Sequence, residues 1–267
     1  MKNLLTIAGS DCSGGAGIQA DLKTFAAHGT FGMSVIVSVV AENTSRVISI
    51  HDIPSQIVAD QIDAVFEDIA VDGIKIGMLS GADQMRTVSE KLRFYRPSGV
   101  VLDPVMVAKG GRALMHPEAL ETLKAEMLPQ AFLLTPNIPE AEAITGMEIH
   151  TVKDMEKAAV ILRSMGPRYV LVKGGHLTGD AVDILYDGKD YRSFTTERIP
   201  TKNTHGTGCT LSSAIAANLA NGAEVPEAVS AAKEYVTTAI RHALPIGKGH
   251  GPTNHFYNLY KSGGILQ

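Results

Sequence analysis

The 267-residue chain is poor in the features that would place it outside the ordinary globular enzymes. Its two cysteines, Cys12 and Cys209, are too few for the disulfide framework of a small secreted protein. The 24 lysines and arginines are outnumbered by 28 aspartates and glutamates, so there is no basic excess of the kind that nucleic-acid binding needs. The nine histidines show neither HxH nor HExxH spacing, so a zinc site is not indicated.

No stretch approaches the roughly 20 consecutive apolar residues that a membrane-spanning helix needs. The apolar run at residues 3–8 is also too short for a secretory signal peptide. We therefore expect a cytoplasmic protein that binds neither membrane nor nucleic acid. No Gly/Ser-rich linker, low-complexity segment or internal repeat divides the chain, so we expect a single domain over residues 1–267.

Short apolar runs alternate with amphipathic stretches along most of the chain. The apolar runs are typical of buried strands and lie at residues 3–8, 33–40, 73–77, 100–104, 132–136 and 169–175. Apolar residues at helical spacing predict helices at residues 16–28, 54–69, 84–95, 117–128, 152–165, 207–221 and 225–243. Two alternating runs flank Asp187 and Gly188, a dipeptide typical of β-hairpin turns.

This alternation predicts an α/β fold, with a mostly parallel central sheet, helices on both faces and an antiparallel hairpin at one edge. In such open sheets, ligands bind beyond the carboxyl ends of the strands. Glycines and polar residues follow successive predicted strands, in the segments GSDCSGG, AENT, GML, DPVM, TPNIPE and KGGH. We therefore expect these segments to meet along one edge of the sheet.

Gly206, Thr207, Gly208 and Cys209 form a turn that opens a predicted helix. Free backbone N–H groups at a helix start, together with the helix dipole, favour an anion such as phosphate. A helix N-terminus also lowers the pKa of a thiol, so this position favours a reactive, partly ionised Cys209. The alternative is a plain glycine turn followed by a small buried cysteine.

Four further polar residues lie at predicted strand ends or helix starts. Asp103 could hold a metal ion or cap its strand, and Lys173, before two glycines, could bind phosphate or be solvated. Asn137 and Glu140 would share one face of a helix, either as ligands or as an N-cap and first-turn acid. Acids suited to magnesium, a lysine, an anion-binding turn and a proton acceptor are together what phosphoryl transfer from a nucleotide requires.

Long motifs over nearly the whole chain resemble one enzyme family. They include LTIAGSDCSGGAGIQADLKTF, VVLDPVMVAKGG, LLTPNIPEAE, VLVKGGH, KNTHGTGCTLSSAIAA and GHGPTNHF. The chain resembles the ribokinase superfamily and, more narrowly, the hydroxymethylpyrimidine/phosphomethylpyrimidine kinases of thiamin biosynthesis. The resemblance implies a ribokinase-like fold, a homodimer, and the ATP- and Mg²⁺-dependent phosphorylation of 4-amino-5-hydroxymethyl-2-methylpyrimidine to its monophosphate and then to its pyrophosphate.

The resemblance also implies roles for residues at matching positions. The catalytic residues would be Cys209, Gly206, Thr207, Gly208 and Lys173. The pyrimidine would be bound by Gly9, Ala16, Asp21, Val40, Glu42, Met78 and Val105. ATP would be bound by Asn137, Lys173, Thr204, His205 and Lys233, and the metal ion by Asp103 and Glu140. A flap that contains Lys109, Gly110 and Gly111 would close over the reaction.

Two residues depart from the family's usual pattern. Relatives commonly carry glutamine where this chain has Glu42, and glutamine donates a hydrogen bond that a carboxylate does not. We therefore expect pyrimidine binding to survive with an altered pH dependence. Cys12 stands where relatives often have serine, and we expect it to be a small packed residue.

Two other functions are compatible with much of this pattern. A pyridoxal or pyridoxine kinase of the same subfamily would resemble this chain closely, but some of those enzymes carry a cysteine in the flap where this chain has Ala108. A catalytically idle metabolite-binding protein on the same scaffold would lack some phosphate-handling residues, and Asp103, Asn137, Glu140 and Lys173 are all present. The pattern favours the pyrimidine kinase over both.

Overall fold

A central sheet with helices on both faces makes up the fold. The computed structural model describes residues 1–177 and 179–265, and over those residues the sheet has nine strands in the order β3-β2-β1-β4-β5-β6-β7-β8-β9. The strands are β1 (Asn3–Asp11), β2 (Phe31–Glu42), β3 (Val47–Asp52), β4 (Gly73–Ile76), β5 (Val100–Leu102), β6 (Leu133–Leu134), β7 (Tyr169–Lys173), β8 (Ala181–Tyr186) and β9 (Tyr191–Thr196).

The six strands from β2 to β7 in this order run parallel, and β3, β8 and β9 pair antiparallel at the two edges. Strands β8 and β9 form the hairpin predicted around Asp187 and Gly188. The predicted α/β fold, mostly parallel with an antiparallel edge hairpin, is therefore confirmed.

The helices form one layer on each face of the sheet. They are α1 (Gly17–Ala27), α2 (Ser55–Phe66), α3 (Ala82–Tyr95), α4 (Leu120–Thr122), α5 (Ile138–Thr145), α6 (Val152–Ser164), α7 (Thr207–Ala220), α8 (Val225–Arg241) and α9 (Tyr257–Ser262). One core contains buried residues of α1, α7 and α8, and the other contains those of α2, α3, α5 and α6. Because both faces are covered, strands such as β1 bury consecutive residues and read as unbroken apolar runs.

Three segments differ from their predictions, and one of them is the short helix α9, which was not predicted. Strand β3 was not predicted, because it lies at the sheet edge and its exposed polar residues Ser49 and His51 interrupt the apolar run. Residues 117–128 were predicted as one helix, whereas the structure has a succession of 3₁₀, α and π turns from Pro117 to Gln130. Pro129 accounts for part of this irregularity, since a proline lacks the N–H that a regular helix would use there.

Strands β1 and β2 extend further than predicted at their carboxyl ends, whereas β4, β5, β6 and β7 end earlier than predicted. Strand β1 runs to Asp11 and β2 runs to Glu42, so both acids are held by the sheet edge rather than by a free loop. None of the helices in the described ranges is both long and apolar enough to span a membrane.

Candidate active site

A cavity of about 1000 Å³ opens at the carboxyl ends of the parallel strands. Residues of every predicted role line it. They are Gly9, Ala16, Val40, Glu42, Met78, Asp103, Val105, Asn137, Glu140, Lys173, Thr204, His205, Gly206, Thr207, Gly208, Cys209 and Lys233. Asp21 lies beneath the cavity and does not line it. The fold therefore gathers in one place side chains that are spread over most of the sequence.

Helix α7 begins at the edge of this cavity in a conformation that requires glycine. Its N-cap residue, Gly206, has a φ of 76°, in the left-handed region. A Cβ atom at this position would lie 1.8 Å from the carbonyl oxygen of Gly15, so the two backbones are in direct contact. The first N–H groups of α7 have no acceptor within the helix and lie at the positive end of its dipole. This arrangement suits a bound anion.

Cys209 occupies the first turn of α7. Burial raises the pKa of its thiol to about 11, and the ammonium of Lys75 opposes that rise. The carboxylates of Asp21 and Asp103 raise the thiol pKa further, while an N–H donated by Gly17 lowers it slightly. The expectation of a partly ionised thiol near neutral pH is therefore wrong, because burial outweighs the effect of the helix start.

Lys173 and Asp103 form an ion pair beside the start of α7. Lys173 Nζ lies 2.6 Å from Asp103 Oδ1, and Ser212 Oγ donates to Asp103 Oδ2 at 3.3 Å. A Cβ atom at Gly208 would lie 3.5 Å from both Asp103 Oδ2 and Lys173 Nζ. Lys173 is thus not a solvated lysine, and its charge is balanced by Asp103.

Asn137 and Glu140 form a capping box at the start of α5. The Asn137 side chain accepts a hydrogen bond from Glu140 N at 2.9 Å, and the Glu140 carboxylate accepts one from Asn137 N at 2.8 Å. The N-cap interpretation of this pair is therefore correct in its geometry. Both residues nevertheless line the cavity, so their capping role does not remove them from the site.

The carboxylates of Asp103 and Glu140 fit a divalent cation. Burial raises the pKa of Glu140 to about 7, Lys173 opposes this rise, and the charge on Asp103 adds to it. Carboxylate oxygens are the donors that Mg²⁺ prefers, and a cation here would relieve the repulsion between the two acids. The residues present are therefore suited to a magnesium ion.

Asp11 ties the loop after β1 to the segment that precedes α7. Its carboxylate accepts hydrogen bonds from Ser13 N at 2.7 Å, Gly15 N at 2.9 Å and Ala16 N at 2.8 Å. His205 Nε2 lies 2.8 Å from Asp11 Oδ2. Burial disfavours the charge, but the hydrogen bonds from His205 and Ser13 outweigh it and hold the pKa of Asp11 well below its usual range. One ring nitrogen of His205 is thus engaged by Asp11.

Glu42 lies next to this pair at the end of β2. Burial raises the pKa of its carboxyl to about 7; the charge on Asp11 adds to the rise and His205 opposes it. One ligand atom each of Asp11, Glu42 and His205 lie within 4.8 Å of one another. Because Asp11 already accepts four hydrogen bonds, we interpret this group as a hydrogen-bonded cluster rather than a metal site.

An apolar wall completes the cavity near Glu42. Val40, Val47 and Met78 form a buried cluster, and Val105, Ala108 and Leu114 pack against it. Such a wall beside a few polar groups is the usual lining of a small-molecule site, and it suits a flat heteroaromatic ring. Ala108 belongs to the predicted flap, which folds as a tight turn with Gly111 N donating to the Ala108 carbonyl.

Asp21 was predicted to contact the substrate, and the structure corrects this. Its carboxylate is fully buried and accepts hydrogen bonds from Thr6 Oγ1 at 2.6 Å, Ser213 Oγ at 2.7 Å and Lys75 Nζ at 2.9 Å. Both carboxylate oxygens accept hydrogen bonds within the protein, so Asp21 supports the site from below instead of lining the cavity.

Two other predicted positions also differ. Lys233 Nζ lies 2.6 Å from Asp183 Oδ2 and 2.9 Å from the Ala181 carbonyl oxygen, so its ammonium ties α8 to β8. Cys12 was expected to be a small packed residue, but it is exposed and its thiol donates to the Glu42 carbonyl oxygen at 3.0 Å. It lies in the turn after β1.

Sequence analysis missed Lys75 and Arg198, which also line the cavity. Lys75 interrupts the apolar strand GIKIG, and a lysine in a strand covered on both faces needs a buried partner. A lysine within such an apolar run is therefore a local signal of a buried ion pair. Arg198 donates to the carbonyl groups of Gly175, Leu177 and Gly179, contacts that no short motif reveals.

Comparison with known proteins gives a consistent result. A family model described as phosphomethylpyrimidine kinase matches residues 11–254. The chain is 47% identical to the hydroxymethylpyrimidine/phosphomethylpyrimidine kinase of Bacillus subtilis, with 94% of each protein covered. It is 54% identical over 254 residues to the thiamine biosynthesis bifunctional protein ThiED of Geobacter sulfurreducens; that match covers 95% of this chain and 52% of the bifunctional protein.

Solved structures with the same fold include two enzymes. An ADP complex of Bacillus subtilis pyridoxal kinase matches with a TM-score of 0.91 and 41% identity, over 97% of this chain and 99% of that one. A phosphomethylpyrimidine kinase from Clostridium difficile matches with a TM-score of 0.81 and 49% identity, over 90% of this chain and 100% of that one. The resemblance inferred from the motifs is confirmed.

The contact between Gly206 and Gly15 predicts a position-specific loss of stability. Replacing Gly206 with alanine places a methyl group against the Gly15 carbonyl in a left-handed conformation, so we expect the free energy of unfolding to fall by at least about 2 kcal/mol. Gly175→Ala is the matched control, because a Cβ at Gly175 would meet nothing within 4 Å. Denaturant unfolding of both variants measures the effect, and equal stability of the two would contradict it.

Proposed function

Because the chain belongs to the phosphomethylpyrimidine kinase family, we propose that it phosphorylates 4-amino-5-hydroxymethyl-2-methylpyrimidine with ATP. A second transfer to the bound monophosphate would then give the pyrophosphate used in thiamin biosynthesis. One observation carries the proposal. A single cavity has an apolar wall and Glu42 at one end, and the N-terminus of α7 with the Lys173–Asp103 pair at the other.

The end of the cavity near Glu42 supports the choice of substrate. The pyrimidine is flat and carries a methyl group, so the wall of Val40 and Met78 could bury one of its faces. Its amino group donates a hydrogen bond and its ring nitrogens accept one. Glu42, with a pKa raised to about 7, can accept in either state and can also donate when protonated.

The other end supports transfer of a phosphoryl group. The N–H groups at the start of α7 and the ammonium of Lys173 would hold the γ-phosphate of ATP, with Asn137 and Thr204 along the nucleotide. Asp103 and Glu140 would hold Mg²⁺, which supplies charge neutralisation on the phosphates when bound. These residues would position the γ-phosphate in line with the acceptor hydroxyl.

In the first transfer, the hydroxymethyl oxygen forms a bond to the γ-phosphorus while the bond from that phosphorus to the β,γ-bridging oxygen breaks. The hydroxyl proton must leave, and Cys209 lines the cavity at the start of α7 where it would be the nearest side chain to accept it. Since its thiol pKa is raised to about 11, few molecules hold a thiolate at neutral pH, but each thiolate is a strong base.

Substrate choice is the point at which the proposal is tested. ADP release is measured with the hydroxymethylpyrimidine, its monophosphate and pyridoxal as acceptors. We expect kcat/KM to be at least about tenfold higher for the pyrimidine than for pyridoxal. A preference for pyridoxal would support the second candidate, which the fold of Bacillus subtilis pyridoxal kinase favours. No ADP release with any acceptor would support a non-catalytic binding protein.

We further propose a cytoplasmic homodimer in which residues 1–267 form one domain. The family resemblance supports the dimer, and the continuous sheet supports the single domain. Sedimentation equilibrium gives the mass of the particle in solution, and a monomer at micromolar concentration would contradict the dimer.

Cys209→Ala should slow the first phosphorylation more than the second. The first acceptor is a neutral hydroxyl that must lose a proton, whereas the second is a phosphate that is already an anion. We expect kcat to fall at least about tenfold for the first transfer, as is usual for loss of a proton acceptor, and much less for the second. Single-turnover rates with each acceptor measure the two steps, and equal losses would count against a proton-accepting role.

The raised pKa of Glu42 predicts a pH-dependent KM for the pyrimidine. Only the protonated carboxyl can both donate and accept, so binding should weaken as the pH rises through about 7. If the neutral form alone binds, KM rises about tenfold between pH 6 and pH 8. In Glu42→Gln the KM should stay flat apart from titration of the substrate itself, which affects both proteins equally. Identical pH profiles for the two proteins would refute the role of Glu42.

A further inference from the structure

A buried ion pair lies under the start of α7, and neither of its two residues has a role in the chemistry proposed above. Lys75 is fully buried on β4, and its Nζ lies 2.9 Å from the carboxylate of Asp21 on α1. Thr6 and Ser213 complete the hydrogen bonds to that carboxylate. A Cβ atom at Gly77 would lie 2.6 Å from Lys75 Nζ, so this glycine leaves the space that the ammonium occupies.

The pair is close to Cys209 because of helix geometry. Ser213, which donates to Asp21, is four residues after Cys209 on α7, so both side chains lie on the same face of that helix. Lys75 and Cys209 also line the same cavity. Lys75 is therefore linked through Asp21 to the turn of α7 that follows Cys209, and both Lys75 and Cys209 face the same cavity.

Stability alone is a weak reason for this pair. Removing two charges from water costs about as much as their attraction returns, so an apolar pair of similar volume would often serve as well. What an apolar pair could not supply is a full positive charge in a region of low dielectric, where its field on a neighbouring sulfur is strong.

We propose that Lys75 is a positioning residue of the phosphoryl transfer, whose charge stabilises the thiolate of Cys209 and whose effect is limited by Asp21. This inference rests on the proposed function for its purpose, but not for its test. The charged groups that face Cys209 are Lys75 on β4, Asp21 on α1, Asp103 after β5 and Lys173 on β7. The four form two ion pairs, so changing one member of the Lys75–Asp21 pair shifts a nearly balanced field.

The test measures alkylation of Cys209 by iodoacetamide between pH 7 and pH 10, followed by mass spectrometry of the peptide that contains it. All variants carry Cys12→Ser, which removes the exposed competing thiol. Lys75→Met should slow alkylation at pH 8 at least about tenfold, since only the thiolate reacts. Asp21→Asn should accelerate it, because it removes a negative charge and leaves the ammonium.

The two variants are expected to change the alkylation rate in opposite directions, and this distinguishes the proposal from a purely structural role of the pair. A loosened or unfolded protein exposes Cys209 as an ordinary thiol with a pKa of about 8.5, so damage to the fold would accelerate alkylation in both variants. Slower alkylation in Lys75→Met therefore cannot come from unfolding. If Lys75→Met alone does not fold, adding it to Asp21→Asn leaves no unpaired buried charge, and this double variant should react more slowly than Asp21→Asn. An unchanged or faster rate on removal of Lys75 in either background would overturn the proposal.

The kinase assay provides a separate readout. Lys75→Met should lower kcat of the first phosphorylation at least about tenfold with little change in the KM for the pyrimidine, since Lys75 is not proposed to touch it. If alkylation behaves as expected but the Cys12→Ser parent phosphorylates no acceptor, the proposed function fails and the effect of Lys75 on Cys209 stands. If the parent phosphorylates the pyrimidine and alkylation is insensitive to Lys75, the proposed function stands and the effect of Lys75 on Cys209 is refuted.

Discussion

Gly206 and the carbonyl group of Gly15 are in direct backbone contact, with no room for a side chain between them. A Cβ at Gly15 would likewise lie 2.4 Å from the ring of His205, which is held by Asp11. The loop after β1 and the start of α7 therefore cannot move independently. This contact sets the distance between the Glu42 end of the cavity and the anion-binding turn, and transfer between two bound molecules depends on such a fixed distance.

Three buried cations around the cavity are each paired with a carboxylate. The pairs are Lys173 with Asp103, Lys75 with Asp21 and Lys233 with Asp183. Burial would discharge an isolated ammonium, but the neighbouring carboxylates raise the pKa values of Lys75 and Lys173 instead. The consequence is a cavity wall with nearly balanced charge, beside which the start of α7 adds the positive end of a helix dipole.

The layered fold could be predicted because each buried strand and each amphipathic helix has its own local periodicity. The cavity lining could be predicted because polar residues such as Asp103 and Lys173 directly follow strands whose ends must coincide. The state of Cys209 could not, since its pKa depends on burial and on Lys75 and Asp21, which are distant in sequence. The helix start suggested the opposite shift, and only the packed structure shows that desolvation is the larger effect.

Contacts in the site between residues far apart in sequence also constrain the order in which parts of the protein can fold. Asp11 and His205 are separated by 194 residues along the chain, and Asp21 and Ser213 by 192. Contacts that close such long loops form late in folding, because the entropy of closure is lost before they contribute. During synthesis, β1, α1 and β4 emerge well before α7, so Asp21 and Lys75 meet without Ser213, and Asp11 without His205. A nascent chain can thus bury much of its parallel sheet while it still lacks a ligand site. It can bind a ligand there only after the C-terminal helices have folded.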